Sequence, residues 1–282
     1  MKEYDEKTLK RVQKIELEIL KDFKKLCDRH GLDYFGIAGT GIGVLRHGGF
    51  IPWDDDIDIA LPRKDYEEFL RLAKKELADK YTILNVRENE NYPLMTTRLV
   101  KKGTKFREYA LKDINCDFGI FLDIYPFDNV SDDEKEYKKQ GRKVWFYSKL
   151  LILRSIPFPV LGATGWKKKV LHAATAICHY ILKISHISKK WIAKKCDESM
   201  RMYNDKQTSR LTYFADTTPY MNIFDRNAIF PLKEYKFEDV MIKMPYELDR
   251  HLTTMYGNYM ELPPIEKRKN HYPYELDFGE CE

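Results

Sequence analysis

Between Ile37 and Leu61 the chain reads IAGTGIGVLRHGGFIPWDDDIDIAL, and four of the five positions from Asp54 to Asp58 are aspartates. Carboxylates this close repel one another, and among Trp53, Ile57, Ile59 and Leu61 they lack the water that would screen them. A hard cation relieves that repulsion, because Mg²⁺ prefers oxygen ligands and leaves positions open for substrate phosphates. As an alternating strand, the segment from Asp54 to Leu61 carries Asp54, Asp56 and Asp58 on one face. Asp55, Ile57, Ile59 and Leu61 then take the other face. Asp56 and Asp58 are the expected ligands of Mg²⁺ or Mn²⁺, with Asp55 turned away.

Upstream, the small residues Gly39, Thr40, Gly41 and Gly43 form an expected turn whose backbone N–H groups can approach a phosphate, followed by a helix start of favourable dipole. Singly, a glycine turn is only a turn and an acidic run only a solvated loop. In conjunction they describe a site for a metal-bound phosphate or diphosphate. Arg46 and Arg98 offer guanidinium forks for phosphate oxygens, or surface ion pairs. His47 reads as a ligand, a base or a turn residue, and Trp53 as a stacking platform or a packed ring. In the tail, Lys267, Arg268 and His271 neutralise a nucleotide or form a solvated basic end.

Around these residues the chain alternates helix and strand. Leu9, Val12, Ile15, Ile19, Phe23 and Leu26 recur at steps of three and four, which predicts a helix from about Asp5 to His30. A short strand at Tyr34 to Ile37 precedes the glycine turn, and a brief helix ends at His47-Gly48-Gly49. Pro62 closes the acidic strand, and Arg63 to Leu77 reads as an amphipathic helix. Further strands are expected at Tyr81 to Asn85, Thr96 to Val100 and Gly119 to Tyr125. The pattern predicts an α/β (α+β) fold with a mixed sheet flanked by helices. From about Asp132 to Asn204 the chain turns helical, basic and aromatic, and reads as an insertion.

The 282 residues are 43% apolar, as in a globular core, and the formal charge of +5 with pI near 8.7 hides an uneven distribution. Lys138 to Lys195 holds fourteen Lys and Arg and no Asp or Glu, leaving 35 basic and 44 acidic side chains elsewhere. Cysteines at 27, 116, 178, 196 and 281 form no C-x-x-C pair, so reduced thiols in a cytoplasmic setting are expected. The N-terminus is charged from its second residue and has no apolar core of a secretion signal.

The run Gly39, Thr40, Gly43, Arg46, Gly49, Phe50, Ile51, Pro52, Trp53, Asp54, Asp55, Asp56, Ile57 and Asp58 resembles the LicD family signature G-T-x-x-G-x-x-R-h-x-G-f-I-P-W-D-D-D-I-D. The resemblance extends to GIFLDIYPFDNV, around Asp123, and to YGNYMELPPIEKRKNH in the tail. Gly41 departs from it, standing where a bulkier apolar residue is expected. The resemblance implies a nucleotidyltransferase-like catalytic domain in residues 1–131 and 205–282, with 132–204 as a basic helical insertion. It implies transfer of a phosphorylated alcohol, phosphocholine from CDP-choline foremost, to a sugar hydroxyl of a lipid-linked cell-surface glycan such as teichoic acid or lipopolysaccharide. Gly39 and Thr40 take the phosphate side, Asp56 and Asp58 the metal, and Asp123 the place of the third acid.

Two other classes fit the same residues: a nucleotidyltransferase that moves NMP with release of pyrophosphate, and a membrane-associated scaffold that keeps the fold without catalysis. The basic middle has no apolar stretch of the roughly 20 residues that span a bilayer. It suits a helix on an anionic membrane surface, at the inner face of the cell membrane, or a subdomain packed on the core. No nucleic acid is expected as a partner, since no recognised binding motif accompanies the basic residues.

Overall fold

The computed structural model describes residues 4–215, 223–268 and 270–280; Lys269 of the tail motif and Cys281 lie outside them. Asp5 caps the first helix, its carboxylate accepting the Thr8 N–H at 2.9 Å, and α1 (Glu6–His30) runs to Gly31, which turns the chain at φ 64°. The apolar stripe expected on it is buried. β1 (Phe35–Gly36) leads into α2 (Ala38–His47), followed by β2 (Asp58–Pro62), α3 (Arg63–Glu76), β3 (Tyr81–Leu84), β4 (Thr97–Lys101), β5 (Lys105–Glu108) and β6 (Phe121–Val130). Three helices come next: α4 (Glu134–Ser155), α5 (Gly165–Ile184) and α6 (Lys189–Met200). The chain returns through β7 (Arg210–Thr212), β8 (Ile223–Asp225), α7 (Arg226–Ile229), β9 (Lys233–Phe237), β10 (Val240–Met244), α8 (Leu248–Tyr256) and β11 (Pro273–Asp277).

The main sheet has the order β1-β2-β6-β4-β3, with β2 and β6 parallel and the other pairs antiparallel, so it is the expected mixed α/β sheet. β6 is ten residues long and pairs with β4 along Phe121–Ile124 and with β7 along Asp128–Val130, while β8 extends β7. The helical segment α4–α6 therefore leaves the sheet at the end of β6 and comes back on the neighbouring strand. Leu99, Leu122, Ile124, Ile59 and Leu61 share a core with residues of α1 and α3. Ala60, Phe127 and Val130 pack with Val144 of α4 and with Cys196 and Met200 of α6. Arg63, buried at the start of α3, donates to both oxygens of Asp128 at 2.8 and 2.6 Å and reaches Asp197 of α6 at 3.0 Å. That fork fixes the helical segment to the sheet.

Two local expectations are corrected. The strand starts at Asp58 rather than Asp54, because Asp54 to Asp56 satisfy side-chain contacts in different directions that a pleated strand would not reach. Gly39, Thr40 and Gly41 are not a turn but the first turn of α2. β5 and β11 have no sequence signal strong enough to predict; their pairing, with a register shift between Pro273 and Glu275, ties the tail to the domain. Among the described cysteines, Cys27, Cys116, Cys178 and Cys196 are free thiols.

In α8, His251 stacks on Phe224 with centroids 3.5 Å apart, and its Nε2 is buried without a partner. Burial pushes its pKa down to about 3. A folded value below the unfolded one of about 6.5 means that its stability contribution is full above pH 6.5 and falls away toward pH 3, with about 2 kcal/mol gone by pH 5. His251→Phe is expected to lose about 2 kcal/mol less than the parent between pH 7.5 and pH 5. Urea unfolding at the two values measures this.

Candidate active site

Asp58 opens β2 and stands opposite Asp123 in the parallel register, and Asp123 stands opposite Arg98 of β4. Residues directly opposite across adjacent strands share a face, so Asp58, Asp123 and Arg98 form one row, on the face away from Ile59, Leu122, Ile124 and Leu99. All three are buried. Thr40 fixes the start of the row: its buried hydroxyl accepts the Asp58 N–H at 2.8 Å, while the Asp58 carbonyl accepts the Ile37 N–H at 3.1 Å. Tyr125, two residues after Asp123 and so on the same face, donates its hydroxyl to Asp58 Oδ1 at 2.9 Å.

Arg98 donates from Nε to Asp123 at 3.1 Å and from Nη2 to Glu108 at 2.8 Å, with its guanidinium 3.7 Å from the centre of the Phe121 ring. Burial alone would depress the guanidinium, but the Asp123 and Glu108 charges hold its pKa well above the ordinary value. It is a buried ion pair, not the surface pair the sequence allowed. Its Nη1 is buried without a protein partner.

The other acids lie in the irregular approach to β2. Asp55, expected to point away from the ligand face, is fully buried, accepting the Tyr4 hydroxyl at 2.7 Å and the His271 N–H at 2.7 Å. His271 Nδ1 lies 3.4 Å from both Asp55 Oδ1 and Asp56 Oδ2. The Asp56 charge raises the imidazole pKa well above its ordinary value, although the side chain is 47% exposed and solvent screens part of that attraction. Burial, and then the Asp54 charge, raise Asp56 well above the carboxylate range. Burial, Asp56 and Asp123 do the same to Asp58, and burial raises Asp123 against the pull of Arg98. Asp54 is pushed up to about 7 by burial and by Asp55 and Asp58.

The chain enters α2 through Ala38 at φ 47°, a left-handed conformation that a side chain resists. Gly39 and Thr40 then belong to the first turn, whose N–H groups have no carbonyl one turn back. A Cβ on Gly39 would stand 2.8 Å from Asp54 Oδ2, so glycine lets the acidic loop close on the helix start. Gly43 serves packing instead, since a Cβ there would meet the Gly49 carbonyl at 2.4 Å. At Gly41, where the family pattern has a bulkier residue, Leu248 and Leu252 of α8 fill the space, 3.2 and 3.3 Å from where a Cβ would be.

The basic residues fall into two groups. Arg268 lies over the Trp53 ring at 4.2 Å from its centre and Arg46 over it at 5.8 Å, with His47 edge-on to the indole. Arg46 also donates to the Tyr259 carbonyl at 2.5 Å and to His47 at 2.9 Å. Lys267 is exposed in a single turn of 3-10 helix beside Arg268. His271 and Arg98 stand among the acids of the row instead. Sequence reasoning missed Tyr4, Asp55, Tyr125 and Glu108, and it missed Glu16. Glu16 is fully buried on α1 with neither carboxylate oxygen partnered, and its pKa is well above normal through burial and then the charges of Asp55, Asp56 and Asp54. The α1 periodicity that buries Val12 also buries Glu16 one turn on, a signal that was available.

The carboxylates of Asp56 and Asp58 are buried and repel one another, which suits Mg²⁺ or Mn²⁺ rather than a thiolate-seeking metal, with the His271 imidazole at the edge of the set, 3.4 Å from Asp56. Among the described residues no three His, Cys, Asp or Glu side chains converge as a ready-made cage. An ion held by Asp56 and Asp58 would need further ligands from water or a substrate phosphate.

Residues 31–163 match the domain described as LicD/FKTN/FKRP, nucleotidyltransferase domain. The chain is 28% identical over 275 residues to the lipopolysaccharide cholinephosphotransferase LicD of Haemophilus influenzae, covering 95% of this chain and 97% of that protein. It is 38% identical over 180 residues to an uncharacterized protein of Rickettsia prowazekii, covering 55% of this chain and 64% of the relative. With the signature residues gathered at one end of a mixed sheet, and a likeness that runs nearly end to end, the chain carries a LicD-type nucleotidyltransferase domain over residues 31–163 and is a transferase.

Proposed function

We propose that the protein moves phosphocholine, or a related phosphorylated alcohol, from a CDP-alcohol to a sugar hydroxyl of a lipid-linked cell-surface glycan precursor, releasing CMP. The Haemophilus relative is named for cholinephosphate transfer to lipopolysaccharide. The observation that carries the reading is the buried row Asp58–Asp123–Arg98 beside Asp56, with cations on both sides of the acids. Asp56 and Asp58 would hold a divalent ion, with Asp123 beside them, and such an ion neutralises diphosphate charge when bound. The first-turn amides of α2 at Gly39 and Thr40 bind phosphate oxygens, and Arg46, Lys267 and Arg268 hold the CMP side. The acceptor oxygen forms a bond to the phosphorus of the phosphoalcohol as the bond to CMP breaks. Asp123 takes the hydroxyl proton, and His271, oriented by Asp55, balances charge at Asp56.

The test is incubation of the protein and Mg²⁺ with CDP-choline, CDP-ethanolamine and CDP-ribitol, with and without a glycan-bearing membrane extract. CMP release that depends on acceptor is expected, highest with CDP-choline. Pyrophosphate release from a nucleoside triphosphate in its place would overturn the reading.

A further inference from the structure

α5 is inverted relative to an ordinary surface helix. The stripe it packs on its neighbours is His172, Thr175, Ala176, His179 and Leu182, with His179 Nδ1–H donating to the Leu153 carbonyl and Thr175 donating to the Pro157 carbonyl. Its open side is the more apolar one, carrying Trp166, Val170, Ile177, Tyr180, Ile181 and Ile184, from 54% to 75% exposed. A helix in water turns that face inward. Nearby, Phe146 and Trp145 of α4, Phe158 and Val160 of the connecting turn, and Trp191 of α6 are also exposed. Three of the four tryptophans in the chain thus lie open in this one segment.

We propose that the α4–α5 hairpin docks on an anionic lipid bilayer, with α5 lying in the plane of the headgroups. Charge selects this occupant: Lys138 to Lys195 holds fourteen cations and no anion, and Lys167, Lys168, Lys169 and Lys183 flank the apolar face of α5. Open indole and tyrosine rings suit the boundary between water and acyl chains. No helix among the described residues is long and apolar enough to cross a membrane, which leaves lying on it. A groove of about 400 Å³ opens between the hairpin and the segment after β5, lined by Ile114, Pro157, Phe158 and Val160 together with Lys112 and Lys168. That segment begins at Tyr109, next to Glu108, which holds Arg98.

Co-sedimentation of the full chain with vesicles tests this without any transfer assay, so it stands or falls separately from the proposed reaction. Binding is expected on phosphatidylcholine mixed with phosphatidylglycerol, with a large fall on phosphatidylcholine alone or at high salt. Replacing Lys167, Lys168 and Lys169 together by Gln should weaken it about 10²-fold, since each cation near an anionic surface is worth about fivefold. Ile177→Glu with Ile181→Glu should abolish it while leaving the melting temperature unchanged, because neither side chain is packed. Equal binding to neutral and anionic vesicles, or full binding by the glutamate variant, would overturn the proposal. So would light scattering that shows the face buried in a dimer.

Discussion

Asp58→Asn is expected to lower transfer by about 10³-fold, the loss that follows removal of one preorganised charge-stabilising group, and to make the metal-free protein more stable. The two effects have one cause. Asp58 is buried with its pKa raised by burial and by Asp56 and Asp123, so the folded state carries an ionised group it holds poorly. A carboxyl whose folded pKa is raised costs stability once pH exceeds its unfolded value near 3.9, and the cost grows as pH rises toward the folded value. The gain in Asp58→Asn should therefore be small near pH 4 and larger at neutral pH. The amide preserves what is structural here. Its oxygen still accepts the Tyr125 hydroxyl, and the backbone N–H still reaches Thr40.

Divalent metal separates this account from a plain packing effect. If Asp56 and Asp58 hold the ion, Mg²⁺ should raise the melting temperature of the parent by mass action and leave that of Asp58→Asn almost unmoved. Thermal unfolding with and without Mg²⁺, beside CMP release by the same preparations, gives both readouts. Retention of more than a tenth of the parent activity would remove Asp58 from the chemistry. An inactive variant that is also unfolded would make its role structural.

The residue types of the site were legible because the acids at 54, 55, 56 and 58 are dense enough to demand compensation wherever the chain places them. Their directions were not. Strict alternation put Asp55 on the apolar face with Ile57, Ile59 and Leu61, but its partners are Tyr4 and His271, from opposite ends of the chain, and no local pattern reports them. The helix at α1 and the end of α2 at Gly48 were readable from periodicity and turn chemistry, which are local. The hydroxyl of Thr40 also accepts the Asp58 N–H at the start of β2, a contact across eighteen positions that no local pattern reports. Glu108 lies on a four-residue strand whose partner is 165 or more positions away, so neither strand nor role had a signal. Tyr125 was within reach, since a residue two past Asp123 on a strand shares its face.

Arg98→Met is expected to cost about 3–5 kcal/mol of stability, a larger loss than any surface charge change, because it strands two buried carboxylates rather than one contact. Asp123 and Glu108 both lean on this guanidinium, and both are largely shielded from the water that would replace it. Methionine fills the volume over Phe121 but supplies no donor. Arg98→Lys keeps the charge yet presents no planar fork, so one ammonium cannot serve Asp123 and Glu108 with the same geometry, and its loss should fall between parent and methionine. Adding Glu108→Gln to Arg98→Met removes one stranded charge and should return part of the loss, a positive coupling in a double-mutant cycle. Urea unfolding of the four proteins measures it. Independent, additive effects would mean that the pair is solvated and that Asp123 keeps its position without Arg98. A coupled result makes Arg98 and Glu108 a buried pair whose members depend on each other, which keeps the guanidinium in place beside Asp123.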